Sequence, residues 1–329
     1  MAKVSVVQVV YNNRRFIEPV FSAIFNQTYK DFNVAAVISG NEDGGKELLI
    51  EKFPQVEIID PGYNIGFAAG HNLVFEKYNS DFFQLVNPDL ILEPNYIEEI
   101  LKAFDDPKAG AATGKLYQID REQIERGALS GFLREGSPLS LDTTGVTINK
   151  SGRARDRGQH EVDNHQYDAL TSVDAVSGAG AMYRRAALQA ASYKLQAFDE
   201  DFHSYWEDVD LTWRMSNAGW KNIFVPTAIG FHGRGAGSSE KGYANLIGFI
   251  RHHKNLPSQV RRLNYQNHIF MYIKNSPYFY PQFFVREFFM LCYIIFFEIT
   301  TLSILPNMFK LLPKMWEKRK LIIVRTENK

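Results

Sequence analysis

With 329 residues, 45% of them hydrophobic, the chain is long enough for one large or two modest domains with a full core, and this composition excludes a disordered protein. Its one cysteine, Cys292, excludes an internal disulfide and a cysteine-based zinc site and suits a reducing compartment. Formal charge is zero overall, but from Lys241 onward fourteen Lys or Arg face four Glu, so a part of charge +10 follows one of −10 and the two meet different partners. Met1-Ala2-Lys3 runs straight into an apolar stretch without the features of a signal peptide, so a cytoplasmic location is expected.

Val4 to Val10 is a continuous apolar run closed by Tyr11-Asn12-Asn13, the pattern of a strand buried on both faces. Phe16, Val20, Ala23 and Ile24 then recur at helical spacing within residues 15–26, and residues 33–38 return as a second strand ending in the polar loop Ser39 to Gly45. Residues 47–52 repeat the helix and 56–59 the strand. Residues 66–78 read as a third helix, Phe82 to Val86 as a fourth strand and 96–104 as helix again. This alternation predicts an α/β, doubly wound, mostly parallel sheet with flanking helices, which binds ligands at the carboxyl ends of its strands. Tyr11-Asn12, Ser39 to Asp43, Asp60 to Asn64 and Asn87-Pro88-Asp89 all fall at that edge.

Three segments carry chemistry. In Asn64-Ile65-Gly66-Phe67-Ala68-Ala69-Gly70-His71-Asn72 the glycines let a backbone approach a ligand at a helix start, whose free amides suit an anionic or polar group; glycine placed there for packing is the alternative. The segment is neither a Walker loop nor a dinucleotide fingerprint. Asn87-Pro88-Asp89 sets a carboxylate just past a buried strand, where a hard divalent cation could bridge it to a diphosphate, although a plain turn uses the same residues. Glu200 to Arg214 mixes five carboxylates with large aromatics, a costly combination unless it lines a site. If a helix runs from there through Asn217, then Glu207 and Asp208 occupy its first turn, and Asp210 and Arg214 pair at i,i+4. A solvated acidic start to an ordinary amphipathic helix is the alternative.

In combination, a first strand ending in Val-Tyr-Asn, the Asn64 to Asn72 loop, Asn87-Pro88-Asp89 and Glu207-Asp208-Val209-Asp210-Leu211 resemble the inverting family-2 glycosyltransferases of the GT-A fold, over about residues 4–235. Ser177 to Arg185 resembles the acceptor-side segment of that family, and Gly219-Trp220-Lys221 through Phe231-His232-Gly233 its closing segment. The pattern is nearest to the rhamnosyltransferase branch, which shares the stretch Ser151 to Gln159.

The resemblance implies a catalytic domain over residues 1–240. Asp208 would deprotonate the acceptor hydroxyl as it attacks the anomeric carbon in one inverting displacement, with Glu207 beside it raising its proton affinity. Asp89 and His232 would hold Mg2+ or Mn2+, which neutralises the departing nucleoside diphosphate. On the donor side the resemblance places Tyr11, Asn12, Ser39, Asn64, Gly66 and Phe67, together with Asn72, Asn87 and Asp89. Trp206, Gly178 and Ala179 fall on the acceptor side. Two departures stand out: Ser39-Gly40 replaces the Asp-Asn that helps hold the nucleobase, and Asn87-Pro88-Asp89 is one acid short of the usual metal motif. Arg153, Arg155 and Arg157 either clamp the diphosphate or form a solvated loop that Gly152 and Gly158 let close as a lid.

Residues 241–329 form a second region. Phe288 to Phe297 is apolar but far short of the roughly 20 residues that cross a bilayer, and Glu298 would be expensive inside one. With Pro306 closing the stretch, an interfacial helix or helical hairpin fits, Trp316 lying at the headgroups and Lys314, Lys318, Arg319 and Lys320 drawn to anionic lipid. Packing on the catalytic domain or in a homo-oligomer is the alternative. Arg251, Lys254, Arg261 and Arg262 form a basic strip suited to the diphosphate of a polyprenyl-linked acceptor. No nucleic-acid motif accompanies the charge, so nucleic acid is not an expected partner. The expectation is transfer of L-rhamnose from dTDP-L-rhamnose to a polyprenyl-diphosphate-linked glycan for a surface polysaccharide, at the inner face of the cell membrane. A UDP-hexose or UDP-N-acetylhexosamine donor is one alternative, and a non-catalytic sugar-nucleotide-binding scaffold another.

Overall fold

The computed structural model describes residues 2–125, 139–193, 196–233, 250 and 253–327. The chain opens as β1 (Val4–Tyr11), α1 (Arg14–Phe25), β2 (Phe32–Gly40), α2 (Gly45–Lys52), β3 (Glu57–Ile59), α3 (Gly66–Lys77) and β4 (Phe82–Leu85). These follow the alternation expected from sequence. Beyond them come β5 (Leu90–Leu92), α4 (Tyr96–Leu101), β6 (Ala109–Gln118), α5 (Arg121–Glu125) and β7 (Leu141–Thr143). A separate hairpin, β8 (Val146–Ile148) with β9 (Ala154–Asp156), precedes β10 (Ser172–Val173), β11 (Met182–Arg184), α6 (Arg185–Ala191), α7 (Glu207–Asn217) and β12 (Lys221–His232). Three helices end the chain: α8 (Ser258–Asn275), α9 (Pro281–Phe297) and α10 (Leu305–Glu327).

Among the described residues one large sheet runs in the order β10-β12-β6-β11-β4-β1-β2-β3, with β5 added to β12 and β7 to β6. Its pairs β1–β2, β1–β4, β2–β3 and β6–β12 are parallel. Between the two parallel halves β11 runs antiparallel, Met182 lying opposite Gln84 on one side and Ala112 on the other. That reversal has a positional consequence. It brings the residues just before β11 to the carboxyl ends of β4 and β6, where Leu85 N–H donates to Ala181 O and Asn87 N–H to Ala179 O, each at 2.8 Å.

The apolar run of β1 is continuous because both of its faces are covered. Val4, Val6 and Val10 pack with Phe16, Val20, Phe21 and Ile24 of α1, while Val7 packs with Ala68 and Val74 of α3 and Leu211 and Met215 of α7. Burying each such large side chain contributes about 1.5–3 kcal/mol, so the sheet is the rigid platform from which the loops project.

A third cluster joins the C-terminal helices to the segment leading into α7: Val146 of the hairpin, Phe202 and Val209 pack with Phe270 and Met271 of α8 and Met315 of α10. Polar contacts reinforce it. Lys274, fully buried, reaches Asp199 at 2.5 Å and Asp210 at 2.8 Å, and Asn275 donates to Asp210 Oδ1 at 2.7 Å. Here the structure departs from the sequence reading. Lys314 and Lys318 pair with Asp201, and Lys318 also with Asp199, while Arg319 donates to the carbonyls of Ile273 and Ser276. Lys318 turns inward because Asp199 and Asp201 wait on the loop before α7 and Arg319 because backbone carbonyls receive it, whereas Lys314 pairs at the surface and Lys320 is exposed. Pro306 does not close the apolar stretch either, since it lies in the first turn of α10, where its missing N–H costs nothing. Arg251 and the expected boundary near residue 240 lie outside the described residues.

No described helix is long and apolar enough to cross a membrane; α9 passes such a test only together with residues 299–322, across a bend of 115°. At that bend Glu298 is buried, with Tyr293 Oη donating to it at 2.8 Å and His253 Nδ1 lying 3.2 Å from its carboxylate. The outer face of α9 leaves Phe284, Phe288, Phe289 and Phe296 exposed, Phe296 to 78%.

Candidate active site

The segment before α7 is unusual in its backbone. His203, Tyr205 and Trp206 have φ of 59°, 72° and 73°, left-handed conformations that cost non-glycine residues of order 1–3 kcal/mol each and persist only where surrounding contacts impose them. Immediately after them α7 begins at Glu207 and Asp208, and Asp210 pairs with Arg214 at 3.0 Å as the i,i+4 spacing anticipated.

Asp208 is half-buried and accepts two backbone N–H groups, from Gly178 at 2.7 Å and Val209 at 2.8 Å. Burial pushes its carboxyl above the usual range; those two donors oppose the shift and the nearby charge of Asp156 adds to it. A carboxylate so raised, held in one orientation and still reachable from solvent, has what a general base needs. Asp156 adds its charge to Asp208, and the repulsion between Glu207 and Asp208 that the sequence implied falls on Glu207. Glu207 is only 5% exposed, its Oε2 has no hydrogen-bond partner among the described residues, and burial together with Asp208 and Asp210 pushes its own carboxyl far up, toward the neutral form.

The loop after β3 leads into α3, which starts beside this base. Gly66 has φ of 82°, and a Cβ there would lie 2.5 Å from the His203 ring, so only glycine lets the helix start abut the loop before α7. Ser39 is buried and organises the same start: its hydroxyl donates to Asn64 Oδ1 at 2.9 Å and accepts from Ile65 N–H and Gly66 N–H. Phe67 reaches toward Gly178, within 3.4 Å of where a Cβ on that residue would sit. At the end of β1, Tyr11 is exposed and Asn12 is tied to Glu42 by two hydrogen bonds. Asn87 and Ala179 are joined through their backbones, which sets the end of β4 against the acceptor-side segment.

A second carboxylate site lies at the end of β12. His232 Nε2 is 3.3 Å from Asp89 Oδ1, and His232 Nδ1 is 2.8 Å from buried Asp142 Oδ2. Burial works against protonation of His232, yet the two carboxylates outweigh it and raise its pKa to about 9. These residues fit a hard divalent ion. Adjacent ligands of an octahedral ion at about 2.1 Å stand about 3 Å apart, near the observed separation, and Asp142 would orient the imidazole from behind as carboxylates do in metal sites. Arg121 approaches Asp89 Oδ2 at 3.1 Å and occupies its other side.

Two expected donor residues face elsewhere. Asn72 is buried, exchanging hydrogen bonds with the backbone of Phe198 and donating to Glu200, so it fastens α3 to the segment before α7. Arg157 donates to Thr144 Oγ1 and O and lies over the rings of Tyr167 and Phe224; its guanidinium serves the fold rather than a diphosphate. Trp206 is half-buried, its Nε1 donating to Asn264 Oδ1 at 2.8 Å. Sequence reasoning missed Asp142, Arg121 and Asn264, which stand in no motif, and gave no role to Asp156 within the stretch Ser151 to Gln159; all four become relevant through tertiary contacts.

Known proteins resemble this chain in sequence and fold. The N-acetylglucosaminyl-diphospho-decaprenol L-rhamnosyltransferase of Mycobacterium tuberculosis is 24% identical over 270 residues, covering 76% of this chain and 81% of that protein. Among solved structures, a mannosyltransferase from Pyrobaculum calidifontis in complex with GDP-Man and Mn2+ superimposes with a TM-score of 0.52 and 15% identity, covering 98% of this chain and 86% of the other. GalNAc-T7 with UDP, GalNAc and Mn2+ gives 0.56 at 9% identity and covers 83% of this chain, which spans only 48% of that enzyme. These two likenesses are of fold, which is of the GT-A type. The family model described as glycosyl transferase family 2 matches residues 5–190, and that of glycosyl transferase family group 2 matches residues 146–313. The chain, a glycosyltransferase, belongs to glycosyl transferase family 2.

Proposed function

We propose that the protein is an inverting, metal-dependent rhamnosyltransferase that moves L-rhamnose from dTDP-L-rhamnose to a glycan carried on a polyprenyl diphosphate. The observation that carries donor and acceptor is the relationship to the mycobacterial rhamnosyltransferase, which extends over most of both chains. The geometry supplies the chemistry. Asp208, oriented by Gly178 and Val209, takes the proton of the acceptor hydroxyl while its oxygen bonds to the anomeric carbon and the bond from that carbon to the diphosphate oxygen breaks. The departing diphosphate carries away the electron pair. A divalent ion held by Asp89 and His232 would neutralise charge on the diphosphate, and the fold relatives solved with Mn2+ support that assignment. One displacement, with Asp208 as its base, inverts the configuration at the anomeric carbon.

The same reading places the protein on the cytoplasmic face of the cell membrane, where such a lipid-linked acceptor is found. The exposed aromatic face of α9 and the exposed Lys310 and Lys320 of α10 support a shallow interfacial seat.

Calorimetric titration and transfer assays with dTDP-rhamnose, UDP-glucose, UDP-galactose and UDP-N-acetylglucosamine, with and without Mn2+, test the proposal. Binding and turnover of dTDP-rhamnose, strengthened by Mn2+ and abolished in rate but not in binding by Asp208→Asn, is the expected result. Preference for a UDP-sugar replaces the donor and keeps the mechanism, whereas binding without turnover of any donor leaves a scaffold.

A further inference from the structure

The helix α8 lies outside the motifs that identify the active site, yet one of its faces is spent on the left-handed segment before Asp208. Asn267 is fully buried, and its Nδ2 lies 2.9, 3.0 and 2.9 Å from the carbonyl oxygens of Phe202, Ser204 and Tyr205. Three carbonyls within four residues thus converge on one amide, whose two hydrogens are shared among them. Asn264, three residues earlier and so on the same helix face, accepts the indole N–H of Trp206 at 2.8 Å. Its own Nδ2 donates to Val260 O, which fixes the amide so that the oxygen faces Trp206. His268 meets the Trp206 ring edge-on, with centroids 5.1 Å apart. Lower on the helix, Lys274 and Asn275 hold α7 itself, so anchoring and loop control are carried by different residues.

Resting on the transferase reading above, we propose that Asn264 and Asn267 are positioning residues: they impose the left-handed backbone of His203, Tyr205 and Trp206, and through it set where Asp208 and the Trp206 ring stand against the acceptor. Neither touches substrate. Without Asn267 the carbonyls of Ser204 and Tyr205 lose their donor and turn toward water while Phe202 O keeps only Ser204 N–H, and without the Asn264 oxygen the indole N–H loses its partner; both changes let the residue before Glu207 relax out of its strained conformation.

The test compares Asn264→Leu, Asn264→Asp and Asn267→Asp with the wild type in the full-length protein, by hydrogen exchange and by steady-state kinetics with the donor the wild type turns over. In Asn264→Leu and Asn267→Asp, exchange over residues 200–208 rises about tenfold or more while amides of β1 and β4 are unchanged. The same variants lose about 10²-fold in kcat, the scale expected of a misplaced catalytic group, with donor affinity by calorimetry held within about twofold. Asn264→Asp keeps an acceptor oxygen for the indole and stays within about threefold of wild type in kcat. Unchanged exchange at 200–208, a uniform loss of protection across the sheet, or an Asn264→Asp as impaired as Asn264→Leu would each overturn the proposal. Should the wild type turn over no donor, the transferase reading fails while the exchange data still decide the positioning role.

Discussion

Gly178 donates its backbone N–H to Asp208 Oδ2 at 2.7 Å, and a methyl group at position 178 would lie 3.1 Å from Asp208 Cβ and 3.2 Å from that same oxygen. The hydrogen bond and the absent side chain are one device: the base is oriented by a backbone that can come this close only as glycine. Gly178→Ala is therefore expected to push Asp208 aside by a few tenths of an ångström and to lower kcat about tenfold or more, leaving thermal unfolding nearly unchanged. Full activity in this variant would mean that the contact does not orient the base.

The pH dependence follows from what surrounds Asp208. Burial raises its carboxyl above the ordinary value, and the Asp156 charge adds to the shift. Only the deprotonated form accepts a proton, so kcat/KM rises with pH through this raised value, and its acid limb stands above the roughly 3.9 of a free aspartate. Asp156→Asn removes a neighbouring negative charge and moves the limb to lower pH. A limb that stays in place or moves upward contradicts the assignment of Asp208.

Metal affinity gives a separate handle. With Asp142 behind His232 at 2.8 Å, Asp142→Asn keeps the shape but weakens the grip on the ring, and such changes typically lower affinity about 10- to 100-fold. Titration of Mn2+ into protein with bound donor nucleotide measures it directly. Unaltered Mn2+ affinity would remove His232 from the ligand set.

Stability should respond strongly at Lys274. It is fully buried between Asp199 and Asp210, and Lys274→Met leaves two interior carboxylates short of a cation. Breaking a buried pair from one side costs about 3–5 kcal/mol, well above the loss of an exposed one. Denaturant unfolding at neutral pH reports this, and a loss below about 1 kcal/mol would show that Lys318 and Arg214 suffice.

For the membrane seat, Phe288 and Phe296 are informative because both are already in water. Burying a phenylalanine contributes about 1.5–3 kcal/mol, so Phe288→Ser with Phe296→Ser should weaken sedimentation with anionic vesicles tenfold or more. Unfolding should not shift, and undiminished vesicle binding would place the interface elsewhere.

The first four strands were legible in the sequence because strands covered on both faces must be apolar and their helices periodic. β11 was not, since Met182 to Arg184 is three residues long and its role comes from lying between β4 and β6. β12 hides for another reason: it contains Pro226, tolerated at the irregularity between Val225 and Ile229 where its pairing with β6 shifts. In the site, Asp208, Asp89 and His232 could be named because their chemistry is concentrated in short motifs. Asp142 and Asn267 act on partners 90 and about 60 residues away, and nothing local distinguishes them. The basic C-terminal segment misled in one respect, because charge in a sequence does not reveal whether a carboxylate such as Asp199 will meet it.

Lys274 also bears on engineering. Chimeras that move the C-terminal helices into a relative would transplant a cation whose counterions, Asp199 and Asp210, stay behind in this chain. A viable graft has to move the segment around residues 199–210 as well, and with it Asp208, so the C-terminal helices and that segment are inherited as one piece.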